Sequence, residues 1–247
     1  MKFLQLPAFE NINDLLSFTT GSGHRVMVRV EAYTCKSAGA DKKLYKYLEQ
    51  RYHEDAEEAQ LSPEFSPLNG MISPFGPLSN SASRKTLFYL IATLNASFPD
   101  YDFSSLQADQ FKRAPSCQYS INTINTTLMN LDCPVSLKKS EIWEVIDREI
   151  DLSDCEVYTY EPDSDSDPFA DEGSIMSMYY FFFNKRLKRI VFFSCRCISD
   201  IRQTSEYPSE VEDDLFFELE EEGVQDDDDD EEPYSDKAPR SGRRVPK

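Results

Sequence analysis

Most of the residues that carry chemistry are scarce in this 247-residue chain, or do not cluster. It has one tryptophan, two histidines and eight glycines. The histidines, His24 and His53, stand alone, and no glycines gather into a phosphate cradle. There is no Walker A run, GxGxxG, GxSxG or HExxH. No apolar run reaches the roughly 18 residues that a membrane span needs, and the amino-terminal residues do not form a secretory signal. The six cysteines include no CxxC pair. Cys35, Cys117, Cys133 and Cys155 are scattered, and Cys195 and Cys197 fall in or near one strand. Buried reduced thiols of a cytosolic or nuclear protein are the expected reading. A zinc site, a cofactor site and catalysis are not expected.

What is abundant is acid. Net charge is −19, unevenly spread. Residues 203–236 hold 17 acids and no lysine or arginine, and residues 237–247 hold five basic residues, which leaves the first 202 residues at −7. A mildly acidic body with an acidic tail disfavours sequence-independent binding to duplex phosphates and favours basic protein partners. Hydrophobic residues make up 40 % and aromatics 13 %, enough for a real core.

Composition divides the chain. Residues 1–52 form the first part of a core domain. Asn11, Ile12, Leu15, Leu16 and Phe18 have helical spacing. Val26, Val28 and Val30 alternate as a strand, and a helix from Asp41 presents Leu44, Tyr47 and Leu48. Residues 53–83 are expected to be a disordered linker, because repeated prolines forbid a helix and no strand period is present. Residues 84–202 form the main body. Leu87, Leu90, Ile91, Leu94 and Phe98 mark a helix that Pro99 closes. Ile121, Ile124, Leu128 and Leu131 mark a second. A third, with Ser140 as N-cap, buries Ile142, Trp143, Ile146 and Ile150. Residues 156–160 are a strand. Residues 175–183 and 187–195 are two long strands joined at Asn184-Lys185-Arg186, where asparagine tolerates positive φ. Residues 203–247 are a disordered acidic tail with a basic end.

This order predicts an α+β fold with one antiparallel sheet and helices around it. The near-continuous apolar runs at 179–183 and 190–193 predict a sheet covered on both faces. The strand at 26–30 joins that sheet across the linker.

Three features invite function. Ser62, Ser66 and Ser73 each precede proline inside the expected linker, where a proline-directed kinase can reach extended chain; each phosphate adds roughly −1.5 to −2 charges. Lys185, Arg186, Lys188 and Arg189 form a basic hairpin. It reads as a guard of strand ends, as an import signal, or as a contact for an acidic or phosphate surface. The acid run Asp163-Ser164-Asp165-Ser166-Asp167 fails as a calcium loop, since Pro168 stands where the sharp-turn glycine belongs.

Several stretches together resemble a known family. Phe98-Pro99-Asp100-Tyr101-Asp102-Phe103-Ser104 follows the helix Ser83-Arg84-Lys85-Thr86-Leu87-Phe88-Tyr89-Leu90. Asp165-Ser166-Asp167-Pro168-Phe169 comes later, and then the string Tyr180-Phe181-Phe182-Phe183-Asn184-Lys185-Arg186-Leu187-Lys188-Arg189-Ile190-Val191-Phe192-Phe193. Met1-Lys2-Phe3-Leu4 and Glu31-Ala32-Tyr33-Thr34-Cys35-Lys36 complete the match. In this order they resemble the Maf-one family, the eukaryotic global repressors of RNA polymerase III transcription.

The resemblance implies a non-enzymatic repressor that binds the polymerase through its clamp and winged-helix subunits. It implies a block to engagement with the TFIIIB initiation factor at tRNA and 5S rRNA genes. It also implies control by nutrient-linked kinases and a phosphatase acting on the linker, and shuttling between cytoplasm and nucleus. No direct DNA contact and no membrane contact are implied, and a monomer is expected. An acidic scaffold or chromatin-protein-binding module acting through its tail is the alternative; a metal-dependent hydrolase using the acidic loop near Asp165 and a direct DNA-binding repressor are further readings.

Overall fold

The computed structural model describes residues 1–36, 39–61, 73–133, 139–162, 169 and 173–199. In chain order these form β1 (Lys2–Leu4), α1 (Pro7–Leu16), β2 (Phe18–Thr19), β3 (Arg25–Thr34), α2 (Gly39–Leu61), α3 (Ser81–Ser97), β4 (Phe111–Arg113), α4 (Cys117–Asn130), α5 (Lys139–Ile150), β5 (Glu156–Tyr160), β6 (Ser174–Asn184) and β7 (Arg189–Ile198). One antiparallel sheet runs β1-β3-β7-β6-β5-β4, with β2 pairing on β3. The expected α+β class is therefore what the chain adopts.

β3 and β7 pair in register from Arg25↔Ile198 to Thr34↔Arg189. The strand before the linker thus lies beside the last strand of the body. This is the long-range closure that the sequence pattern required, and loop entropy makes it inexpensive because closure cost grows only logarithmically with length.

Strand alternation sorts the core into two layers. Tyr33, Tyr158, Tyr179, Phe181, Phe183 and Phe192 face one side, where Leu87, Leu90, Ile91 and Leu94 of α3 and Leu48 of α2 cover them. Val26, Val28, Val30, Phe182, Val191 and Phe193 face the other, under α1, α4 and α5. The central strands are buried on both sides, so β7 is buried from Ile190 through Cys195. Each fully buried phenylalanine there contributes roughly 1.5–3 kcal/mol.

Helix starts have local causes. α1 begins at Pro7, four residues before the apolar spacing suggested, because proline at the first helical position loses no needed donor. α3 is capped by Asn80, whose Oδ1 accepts from the Ala82 amide at 2.9 Å. α4 is capped by Ser116, whose Oγ accepts from the Tyr119 amide at 3.1 Å. Ser140, read as the cap of α5, lies inside the helix instead, which already includes Lys139.

The linker drawn at 53–83 differs most from the structure. α2 continues to Leu61, residues 73–80 are turns, and α3 starts at Ser81. Acids on exposed helix turns need no partner, so an acidic run did not mark the end of α2. The proline-rich end of the segment is pinned by Phe75, whose ring lies 5.1 Å from Tyr158 and 5.9 Å from Phe111. Arg84 donates to the Leu78 and Ser79 carbonyls at 2.8 and 3.1 Å.

The hairpin turn differs too. Asn184 ends β6, and the turn is residues 185–188, so Leu187 lies in it rather than in β7. The residue with positive φ is Lys188, at 51°. Residues 203–247 lie outside the described residues.

Candidate functional site

The hairpin places Arg186 and Arg189 against the carboxyl end of α5 and Lys185 against β5. Asn184 is fully buried; its Nδ2 donates to the Ile150 carbonyl at 2.9 Å and its Oδ1 accepts from the Leu187 amide at 2.9 Å. Arg189 donates to the Glu149 carbonyl and pairs with its carboxylate at 3.2 Å. Arg186 bridges Asp151 at 2.8 Å and Asp154 at 2.9 Å. Lys185 reaches Glu156 at 2.7 Å. The last carbonyls of a helix carry partial negative charge, so cations there satisfy both the backbone and the acids.

Electrostatics follow the same pairing. Burial pushes the Glu156 carboxyl up, but Lys185 and Tyr158 donate to it and Arg113 lies nearby, and together they hold it below the ordinary carboxylate range. Exposed ion pairs of this kind contribute about 0–1 kcal/mol each. Of the four residues singled out from the sequence, Lys185, Arg186 and Arg189 are engaged with the body. Lys188 is exposed and has no ion pair among the described residues. The strand-end guard reading fits three of the four.

The three candidate phosphorylation sites separate. Ser62 and Ser66 lie outside the described residues. Ser73 is 6 % exposed. Its Oγ accepts from the Phe75 amide at 3.2 Å, and its carbonyl accepts from the Gly76 amide at 2.9 Å. A kinase needs extended chain, so this turn must open before Ser73 can be modified.

A polar network that the sequence did not reveal joins β3 to the end of α3. Arg29 donates to the Glu31 carboxylate at 2.7 Å and to the Ser97 carbonyl at 2.6 Å, and its guanidinium lies 4.9 Å from the Phe98 ring centroid. Tyr33 donates to Glu31 at 2.8 Å. Burial, reinforced by the Glu31 charge, pushes the Tyr33 phenol far above its usual value. The network caps a helix and fixes a tyrosine in the core.

Phe169 was also missed. It closely follows the acid run Asp163-Ser164-Asp165-Ser166-Asp167, yet it is 1 % exposed. Its ring packs against Tyr101 at 4.8 Å and Phe98 at 4.9 Å, and the Arg196 guanidinium lies 3.9 Å from its centroid. One aromatic among acids was the available signal.

Nothing among the described residues resembles a reaction centre. Among the described residues, no group of three or more histidines, cysteines or acids is placed to hold a metal, and no helix is long and apolar enough to cross a membrane. Burial pushes the thiols of Cys35, Cys155 and Cys195 up to about 12 and that of Cys117 to about 11. Such thiols are poor nucleophiles.

The family model described as Maf1 regulator matches residues 26–194, from β3 into β7. The chain belongs to the Maf1 regulator family. A Schizosaccharomyces pombe protein named repressor of RNA polymerase III transcription maf1 is 48 % identical over 196 residues, which cover 78 % of this chain and 82 % of that one. A Dictyostelium discoideum protein named repressor of RNA polymerase III transcription is 34 % identical over 254 residues, covering 87 % and 91 %. The crystal structure of citrus MAF1 aligns with a TM-score of 0.57 at 33 % identity, over 78 % of this chain and 99 % of that one. The Maf1 match includes the paired hairpin, the Arg29 network and the Phe169 anchor.

Proposed function

We propose that this protein represses transcription by RNA polymerase III and does so by occupying polymerase surface. The observation that carries the reading is the Maf1 match across both faces of the sheet, with two relatives named as repressors of that transcription. The first 202 residues are net acidic, which opposes long-range attraction to duplex DNA and favours a protein target. Binding at the clamp and winged-helix subunits blocks engagement with TFIIIB, so initiation at tRNA and 5S rRNA genes stops.

Phosphorylation sets the activity. Ser62 and Ser66 are the primary sites, and Ser73 follows only when its turn opens. The phosphorylated form is held in the cytoplasm, and a phosphatase returns the protein to the nucleus.

The test is co-purification of the full chain with RNA polymerase III before and after phosphatase treatment, together with transcription of a tRNA gene from purified factors. The dephosphorylated protein binds the polymerase and lowers transcript yield when added before TFIIIB. Equal transcript yield with and without the protein, at saturating concentration, sinks the proposal. Ser62→Ala with Ser66→Ala raises nuclear residence; unchanged residence removes the phosphorylation step alone.

A further inference from the structure

The lysines of this acidic protein are not distributed like its acids. Lys2 pairs in register with Thr34, and Thr34 with Arg189, so three strands end in one row. The Cys35 amide donates to the Lys188 carbonyl at 2.9 Å, which sets Lys36 beside Lys188. The Met1 amino group pairs with Asp41, which brings the first turn of α2 to the same end of the sheet. Lys42, Lys43 and Lys46 stand on that helix.

All six lysines are exposed, and none is in an ion pair among the described residues. The contrast lies across the same end of the sheet, where Lys185, Arg186 and Arg189 each hold an acid. Two acids of α2, the helix that carries three of these lysines, are already committed, Asp41 to the Met1 amino group and Glu49 to Arg84. Two large apolar side chains flank the rim, Phe3 at 52 % and Leu187 at 43 % exposure.

We infer that this lysine rim is a docking surface for an acidic protein segment bearing aromatic or aliphatic residues. Unpaired cations gain from an incoming carboxylate what paired cations have already spent on their neighbours. Phe3 and Leu187 supply apolar contact that a phosphate backbone does not use. The net −7 of the first 202 residues repels a long polyanion such as duplex DNA, whereas a short acidic segment meets mainly the local field. The inference rests on the proposed function in one respect: the segment belongs to the polymerase.

The experiment measures binding of the full chain to purified RNA polymerase III over a salt series. The rim variant is Lys36→Glu, Lys42→Glu, Lys188→Glu. The control is Arg25→Glu, Lys112→Glu, Arg148→Glu, which changes net charge equally at exposed sites elsewhere. The rim variant binds about tenfold more weakly, with a shallower salt dependence, and the control about as well as wild type. Lys→Gln versions at the rim positions give a smaller loss of the same kind, and melting curves confirm folding.

If wild type binds and the rim variant binds equally, the rim inference is overturned while the proposed function stands. If wild type does not bind at all, both fall. A duplex or single-stranded oligonucleotide that binds wild type tightly and is lost on rim reversal makes the surface a nucleic-acid site and overturns the assignment.

Discussion

The Asn184 side chain donates to the Ile150 carbonyl at 2.9 Å from a fully buried position. One amide thereby closes the end of α5 and shapes the hairpin turn through its second bond to Leu187. Replacing it by leucine leaves a buried carbonyl and a turn amide without their partner. Asn184→Leu is expected to lose about 2–4 kcal/mol, read as a shift in the denaturant midpoint at unchanged slope. A loss under about 0.5 kcal/mol means the turn is held by its ion pairs instead.

Phe75 controls access to Ser73. In wild type, a proline-directed kinase modifies Ser73 slowly, because the serine is buried and its turn is bonded to Phe75 and Gly76. Phe75→Ala removes the ring that packs on Tyr158 and Phe111, and Ser73 phosphorylation, followed by mass spectrometry, becomes severalfold faster. Equal rates in the two proteins show that the turn opens without help from the core.

Acid should loosen the protein in a defined direction. Glu49, to which Arg84 donates, and Glu156, to which Lys185 and Tyr158 donate, both have carboxyls held below the ordinary range. The folded state therefore binds fewer protons than the unfolded state once pH drops to about 4.3, the unfolded glutamate value. Their stabilisation is complete above that value and is lost as pH falls towards the folded pKa values. Thermal midpoints from pH 6 to pH 3 should decline, and Glu156→Gln should decline less steeply. Parallel curves for the two proteins exclude a Glu156 contribution.

Phe169 is buried in the core layer that α2 and α3 cover. Phe169→Ala removes a fully buried ring beneath Arg196 and is expected to cost about 3–5 kcal/mol. Arg196→Lys keeps the charge but loses the planar stack, and costs less, about 1 kcal/mol. Calorimetry of the two variants ranks them; an Arg196→Lys cost as large as that of Phe169→Ala reverses the assignment of anchor and cover.

The elements with strong period are legible in the residues themselves. Leu87, Leu90, Ile91 and Leu94 lie at helical spacing, and all four are buried. The runs in β6 and β7 are apolar at consecutive positions, which only a sheet covered on both faces accommodates. Composition without period misleads. Prolines and acids at 53–83 suggested a linker throughout, whereas α2 runs to Leu61 and Phe75 anchors the far end. The positive φ at Lys188 rather than Asn184 had no sequence signal, because a buried side-chain amide outweighed the usual turn preference.

By itself the sequence determined the class of fold, the helices and strands with clear apolar spacing, and the family, since a long specific string survives as text. Only the tertiary structure decided which charges are satisfied. Lys185 and Lys188 belong to one basic run, yet one is paired with Glu156 and the other is free of acids among the described residues. Ion pairing depends on residues far off along the chain, brought close by strand register and helix docking, and no local pattern encodes that approach.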